Sequence, residues 1–375
     1  MLYQTHARIH LGNIRHNLEQ IRAAVGPDKK ILIAVKANAY GHGAVELSRM
    51  AERIGIDWLG VATVPECLEL RKAGIRLPIL KFSPAFSDEM QAAVEHGLTL
   101  AVCEKKNIIE LNEICSRIGK KANVHLKVDT GMGRIGCLPE EAPDLAMFIS
   151  AECPFLFLEG IFTHLPVSDE ASKTYTNRQL QLFRKTVESC EKRISGKIPL
   201  AHCANSGGVL AYPESWLSMV RPGIMIYGFY PAKETPQTIP LRPGLSFLTR
   251  VSFVKKVTKG TSIGYGRSWV APDDTFIATI PAGYADGFNR LFSNMGRVLI
   301  KGKSYPIVGR VCMDQSMVNL GGKTEVQVGD EVVLIGRSGN EEITVNEWAE
   351  KLETITYEVT CQINQRVQRI FEPDL

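Results

Sequence analysis

Through the first two-thirds of the chain, short apolar runs alternate with longer amphipathic ones. The strand-like runs are ILIAVK (31–36), WLGVAT (58–63), PILKF (78–82), LTLAVC (98–103), ANVHLKVDT (122–130), FLEGIFTH (157–164), LAHCANS (200–206) and SMVRPGIMIYG (218–228). Between them, AVELSRMAERIG, VPECLELRKAG, KKNIIELNEICSRIG and NRQLQLFRKTVESCEK repeat apolar residues at three-to-four spacing, the period of a half-buried helix. Near-continuous apolar strands separated by helices predict a parallel sheet covered on both faces. Eight such units in about 200 residues favour a closed (β/α)8 barrel over an open doubly wound sheet. No GxGxxG opens a helix after the first strand, so the usual mark of a dinucleotide fold is missing.

The period changes near residue 236. LSFLTRVSFVKKV, TFIATIP, VLIKGKSYPIVGRV, DEVVLIG and VTCQINQRVQRIF read as short strands separated by Gly- and Asp-rich turns, without crossover helices. One short helix is expected at 345–353, where Thr344 and Glu347 have capping-box spacing, with Tyr357 in the loop that follows. The fold class is therefore α/β: a TIM-like barrel over residues 1–235 and a mainly antiparallel β domain over 236–375, the first residues being expected to pair with the latter.

Composition narrows the function more than the fold. A formal charge of +4, with Lys and Arg clustered only as pairs, gives no nucleic-acid footprint. No apolar run approaches membrane-spanning length and the amino terminus lacks an h-region, so a cytoplasmic protein without membrane partners is expected. Nine cysteines without a CxxC fit a reducing compartment, and Cys312 is read as structural.

In a barrel, chemistry gathers at the carboxyl ends of the strands. Here those ends carry Lys36, Asn38 and Tyr40, then Lys127, Asp129 and Arg134, then His164, then His202, Asn205 and Ser206, and finally Arg221 and Gly223. A lone lysine at a strand end is most often a solvated charge, so its company has to decide. His164, His202 and Asp129 lack metal-motif spacing and would share the rim with three cations, so no metal is expected. The cations point instead to an anionic ligand. Main-chain donors around Asn205–Gly208 and Gly223–Ile224, with the Ser206 hydroxyl, form a potential phosphate cradle. A phosphorylated ligand beside a reactive amine points to pyridoxal 5'-phosphate (PLP), held by Lys36 through its aldehyde, with Arg221 facing the ring nitrogen.

The stretches AVKANAYGHG (34–43), KVDTGMGRIG (127–136), FTHLP (162–166), HCANSGG (202–208), MVRPGIMIYG (219–228), IGYGRSW (263–269), PAGYADGF (281–288) and VGRVCMDQSMV (308–318) run in order from end to end. Together they closely resemble the alanine racemases, PLP-dependent isomerases with a barrel and a β domain. The resemblance implies that Lys36 binds PLP, Arg221 contacts the pyridine nitrogen and His202 supports Arg221. It gives Tyr40, Ser206, Gly223, Ile224 and Tyr357 to the phosphate, Arg134 to cofactor and substrate carboxylate, and His164 to a link from Arg221 towards the catalytic tyrosine. That tyrosine is Tyr265, a second base which the β domain of one subunit offers to the barrel of the other in a homodimer. Met313 crosses with it to the substrate carboxylate, and Lys127 is a candidate for carbamylation.

Racemisation independently asks for two bases, because the proton leaves one face of the α-carbon and returns to the other. Gly264 and Gly266 around Tyr265 allow unusual dihedrals there. The expected reaction is interconversion of L- and D-alanine, with D-alanine going to peptidoglycan. The rivals are a broader racemase that also takes serine, a PLP-dependent decarboxylase on a related scaffold, and a non-catalytic PLP-binding protein.

Overall fold

The computed structural model describes residues 3–373. It divides into two compact units, one of Arg15–Ala39 with Ala44–Arg242, the other of the chain up to Ile14, Tyr40–Gly43 and the chain from Pro243. The division thus falls a little beyond residue 235, and two short amino-terminal pieces belong with the second unit. No helix among the described residues is long and apolar enough to cross a membrane.

The first unit contains the eight parallel strands read from the sequence: Lys30–Ala34, Trp58–Val61, Ile79–Lys81, Leu98–Val102, Ala122–Lys127, Leu156–Phe162, Leu200–His202 and Met219–Val220. Each pairs with its predecessor up to the seventh, and the eighth pairs with the first through Lys30–Met219 and Ile31–Val220. Ser218 N donates to Ala201 O at 3.2 Å and Arg221 N to Ala204 O at 2.8 Å, which joins seventh to eighth and completes the ring. The inner strands are apolar because both faces are covered: every residue of Leu98–Val102 is buried.

The helices follow their sequence signals. Thr63 caps Val64–Lys72 in a reciprocal capping box with Glu66. Lys105–Ile118 buries Ile108, Leu111 and Ile114, then stops at the left-handed Gly119.

In the second unit, a seven-stranded sheet contains Leu245–Arg250, Arg297–Ile300, Lys303–Pro306, Glu331–Ser338, Glu341–Ile343 and Gln368–Glu372, with His6–His10 inserted between the first and last of these. His6–His10 runs antiparallel to Leu245–Arg250 and parallel to Gln368–Glu372. Phe253–Val257, Thr275–Ile280 and Ser316–Gly321 form a separate three-stranded antiparallel sheet.

Several expectations for this region need correction. Ser316–Gly321 is a strand that the pattern reading passed over, and the VTC portion of the last expected strand belongs to a helix, Thr356–Cys361, which also contains Tyr357. The helix Val345–Lys351 has Thr344 as its cap, with Oγ1 accepting from Glu347 N at 3.0 Å. The reciprocal half of that box is absent, because the Glu347 carboxylate pairs with Arg297 at 2.7 Å instead.

Candidate active site

Strand register sets the barrel mouth. Lys127 pairs with Phe162, and Phe162 with His202, across three adjacent strands. The Lys127 ammonium lies 4.2 Å from the centre of the Phe162 ring, and the His202 ring stacks on Phe162 at 4.9 Å with planes 3° apart. The Arg221 guanidinium sits 5.5 Å from the same ring. Phe162 is thus a floor beneath a guanidinium, an amine and an imidazole, a role the sequence reading did not assign.

Arg221 is buried and tightly held. Nη1 donates to His202 Nδ1 at 2.9 Å, and Nη2 to the carbonyls of Thr163 (2.7 Å) and Cys203 (3.1 Å). Burial lowers its pKa to about 10, which leaves it protonated at neutral pH. Desolvation, then the charge of Arg221, holds His202 and His164 well below the usual histidine range, so both are neutral near pH 7. Lys127 is pushed down to about 7 by burial first, and then by Arg221 and Arg134.

Arg134 is exposed on a loop that Asp129 organises. The Asp129 carboxylate accepts from the main-chain N–H groups of Gly131 and Met132, each at 2.8 Å. These bonds and others to Gly133 and Arg134 hold its pKa below the ordinary value despite partial desolvation.

The two late turns are joined by one hydroxyl. Asn205, not Ser206, caps the helix Ser206–Ala211, accepting from Gly208 N at 2.9 Å. Ser206 Oγ is thereby left to accept from Gly223 N at 2.9 Å, directly before Ile224.

Lys36 follows the first strand at the start of an unusual turn. Ala37, Asn38, Ala39 and Tyr40 have φ of 51, 52, 53 and 52°, all left-handed and none of them glycine. Such a conformation costs L-residues about 1–2 kcal/mol each, and strain of this kind concentrates at functional sites. Local bonds hold it: Ala39 N to Val35 O at 2.8 Å, Ala37 N to Glu66 Oε1 at 2.7 Å, and Ala44 N to Asn38 Oδ1 at 2.8 Å. No periodicity argument finds such a turn, because of its four residues only Asn38 carries a left-handed preference.

Lys81, at the end of the third strand, was passed over among the strand-end charges. Its ammonium is taken up by the Ser83 and Pro84 carbonyls at 3.3 and 2.8 Å and the Ser83 hydroxyl at 3.2 Å, so it holds the following loop.

In the second unit, Tyr265 lies in a short turn between Gly264 (φ +74°) and Gly266 (φ +69°) and is 72% exposed. Met313, 53% exposed, lies on a loop tied to its neighbours: Ala285 N donates to Met313 O and Tyr284 N to Cys312 O, each at 3.0 Å. Arg366 bridges Asp314 at 2.8 Å and the fully buried Asp286, which also accepts from Tyr3 Oη at 2.8 Å. Burial keeps the Cys312 sulfur a thiol by raising its pKa. Tyr40 is buried with its ring centre 5.8 Å from that of Tyr357. Burial pushes the Tyr40 phenol well above its ordinary pKa, so it acts as a neutral hydroxyl.

Comparison with known proteins gives the class. Residues 9–231 match the family model "Alanine racemase, N-terminal domain" and residues 245–371 "Alanine racemase, C-terminal domain". The alanine racemase of Cutibacterium acnes is 47% identical over 97% of this chain and 97% of its own, and that of Chlorobaculum tepidum 46% over 97% and 94%. The solved alanine racemase of Clostridium difficile 630 superposes with a TM-score of 0.94 at 37% identity, covering 99% of this chain and 96% of that one. Fold and matches define an isomerase of the barrel-plus-β class, and the family implies PLP as cofactor. The chain belongs to the alanine racemase family, whose reaction is the interconversion of L- and D-alanine.

Proposed function

We propose that Lys36 and Tyr265 are the two proton carriers of a PLP-dependent alanine racemase. When bound, PLP supplies an electron-withdrawing ring that acidifies the α-hydrogen of an amino acid. The observation that carries the assignment of residues is the state of Arg221. Its Nη1 and Nη2 are committed to protein acceptors, and among the described residues no carboxylate pairs with it. Burying an unpaired cation is costly, and a guanidinium can only donate. Two of its five N–H groups remain, one on Nε and one on Nη1, and a neutral ring nitrogen accepts from such a donor without bringing charge.

In this reading Lys36 would hold the cofactor aldehyde. Ser206 with the Gly223 and Ile224 main chain would hold the phosphate, and Tyr40 and Tyr357 would add their hydroxyls to it. The bond from Gly223 N to Ser206 Oγ supports the assignment by keeping the two turns together.

Once free, the Lys36 amine takes or returns a proton on one face of the α-carbon, and the Tyr265 phenol does so on the other. In this reading His164 links Arg221 towards the Tyr265 phenol. Arg134 and Met313 orient the substrate carboxylate. Lys127, with a pKa of about 7, has a large neutral fraction near neutral pH and is suited to carbamylation: its nitrogen attacks CO2 and loses a proton to solvent, creating an anion beside Arg134.

Tyr265 and Met313 are assigned to the active site of a second copy of the chain. Their exposure supports this, since a large apolar or aromatic side chain offered outward commonly marks an interface. A variant held monomeric should retain almost no turnover.

The test is L-alanine with the PLP-loaded enzyme in deuterated water, following α-deuteration and D-alanine, with Tyr265→Phe in parallel. Inversion by the wild type, lost in the variant while cofactor absorbance persists, supports the reading. A wild type that binds PLP but neither exchanges the α-proton nor inverts alanine overturns it, and serine then becomes the next substrate to try.

A further inference from the structure

Behind Arg221 a line of polar groups crosses the barrel interior. His202 Nε2 lies 2.9 Å from His125 Nδ1, and both rings are fully buried. His125 Nε2 makes no hydrogen bond of regular geometry and faces Glu159 Oε2 at 3.4 Å. Glu159 is held in turn by Asn123 Nδ2 at 2.8 Å and Thr99 Oγ1 at 3.2 Å. Space for the first of these rings is made by its strand partner, since a Cβ on Gly160 would come within 2.7 Å of His125.

Arginine sets the direction of this line. A guanidinium only donates, so His202 Nδ1 must accept and bear no proton. A neutral imidazole then carries its proton on Nε2, which donates to His125 Nδ1. His125 must likewise keep its proton on Nε2, towards Glu159. Both rings titrate below the ordinary histidine range because burial disfavours the cation, with Arg221 adding to the effect, so neither escapes by becoming doubly protonated near pH 7. In the opposite tautomer, His125 Nδ1–H would oblige His202 Nε2 to accept, and His202 Nδ1–H would meet an Arg221 N–H head-on. An acceptor behind His125 secures from the far end the direction that Arg221 sets from the near one.

We propose that Glu159 is a positioning residue which, through the tautomers of His125 and His202, fixes the Arg221 guanidinium in the orientation that serves the barrel mouth. The tautomers follow from contacts within the protein alone. Their consequence for catalysis rests on the role given to Arg221 above.

The experiment uses PLP-loaded enzyme labelled with 15N-histidine, comparing wild type with Glu159→Leu and the acceptor-retaining Glu159→Gln. In the wild type, both buried rings should show proton-bearing Nε2 and bare Nδ1 in long-range 1H–15N spectra. Glu159→Leu should shift His125 and His202 towards the opposite tautomer and change the cofactor absorbance. It should also lower kcat by roughly five- to tenfold, the equivalent of one net hydrogen bond, with KM little altered; Glu159→Gln should restore all three. Tautomers unchanged in Glu159→Leu would overturn the proposal, even if thermal stability fell, because Glu159 would then be structural only. If Glu159→Leu does not fold, Glu159→Gln with Asn123→Ala, which frees the side-chain amide to rotate, replaces it under the same criteria. Tautomers that shift while kcat and absorbance stay fixed would retain the line but remove its catalytic role, and would count against the reading of Arg221 separately.

Discussion

The Phe162 ring lies parallel to the His202 imidazole, 4.9 Å from centre to centre and 3° from coplanar, while Lys127 sits 4.2 Å from the centre of the same ring. One apolar side chain therefore sets the height of a ring that holds Arg221 and of an amine with a depressed pKa. It does so because the three residues are register partners on adjacent parallel strands.

Truncating that floor should cost both stability and chemistry. Phe162→Ala is expected to lower unfolding free energy by about 3–5 kcal/mol, as for other buried aromatics, with a larger loss of racemisation than of PLP binding. Urea unfolding read by fluorescence, beside kcat and cofactor titration, checks this.

Gly160 provides the converse case. A Cβ there would collide with the His125 ring at 2.7 Å, and the ring is enclosed on every side. Gly160→Ala should destabilise by about 1–3 kcal/mol as overpacking does, and Gly160→Ala combined with His125→Ala should recover part of the loss. A double-mutant cycle in urea measures the coupling.

Lys127 carries a pH signature. Its pKa falls from 10.5 to about 7 on folding, with burial the first cause. Across that window the unfolded chain binds a proton that the folded chain does not, so this residue makes stability rise with pH from about 7 upward. In CO2-free buffer, the wild type should gain stability relative to Lys127→Met between neutral and mildly alkaline pH. Added 13C-bicarbonate should then give a carbamate resonance in the wild type that is missing from Lys127→Met.

Arg366 holds the Met313 loop from behind, joining Asp314 to the buried Asp286. Arg366→Ala leaves Asp286 without its cation and should cost on the order of 3 kcal/mol, the scale for breaking a pair with a buried member. If Met313 orients the substrate carboxylate, KM for alanine should rise more than kcat falls. Steady-state kinetics of the folded fraction at reduced temperature separate the two.

Much of the barrel was legible because its signal is local. Apolar runs such as LTLAV and helices such as KKNIIELNEICSRI carry their period within a single element, and the structure reproduces all eight strands. The β region was read less well. SMVNLG was missed as a strand, and VTC was read as a strand although it belongs to a helix, because short segments are decided by pairing partners rather than by period. Glu347 has capping spacing but turns to Arg297, a partner 50 residues away that no window contains.

The candidate residues at the strand ends came from motifs and their order along the chain. His125, Glu159 and Phe162 did not. The detectable signal was an ionisable residue inside an otherwise apolar strand, as in ANVHLK and LFLEGIF.

The sequence by itself determined the barrel, a following β region and a rim rich in cations, since side-chain periodicity and residue chemistry are properties of short segments. Only the tertiary structure decided which ring stacks on which, and which nitrogen of His202 must accept. It alone showed the left-handed path after Lys36 and the association of His6–His10 with strands more than two hundred residues away. Those features depend on strand register and burial, and both arise only when distant segments close on one another.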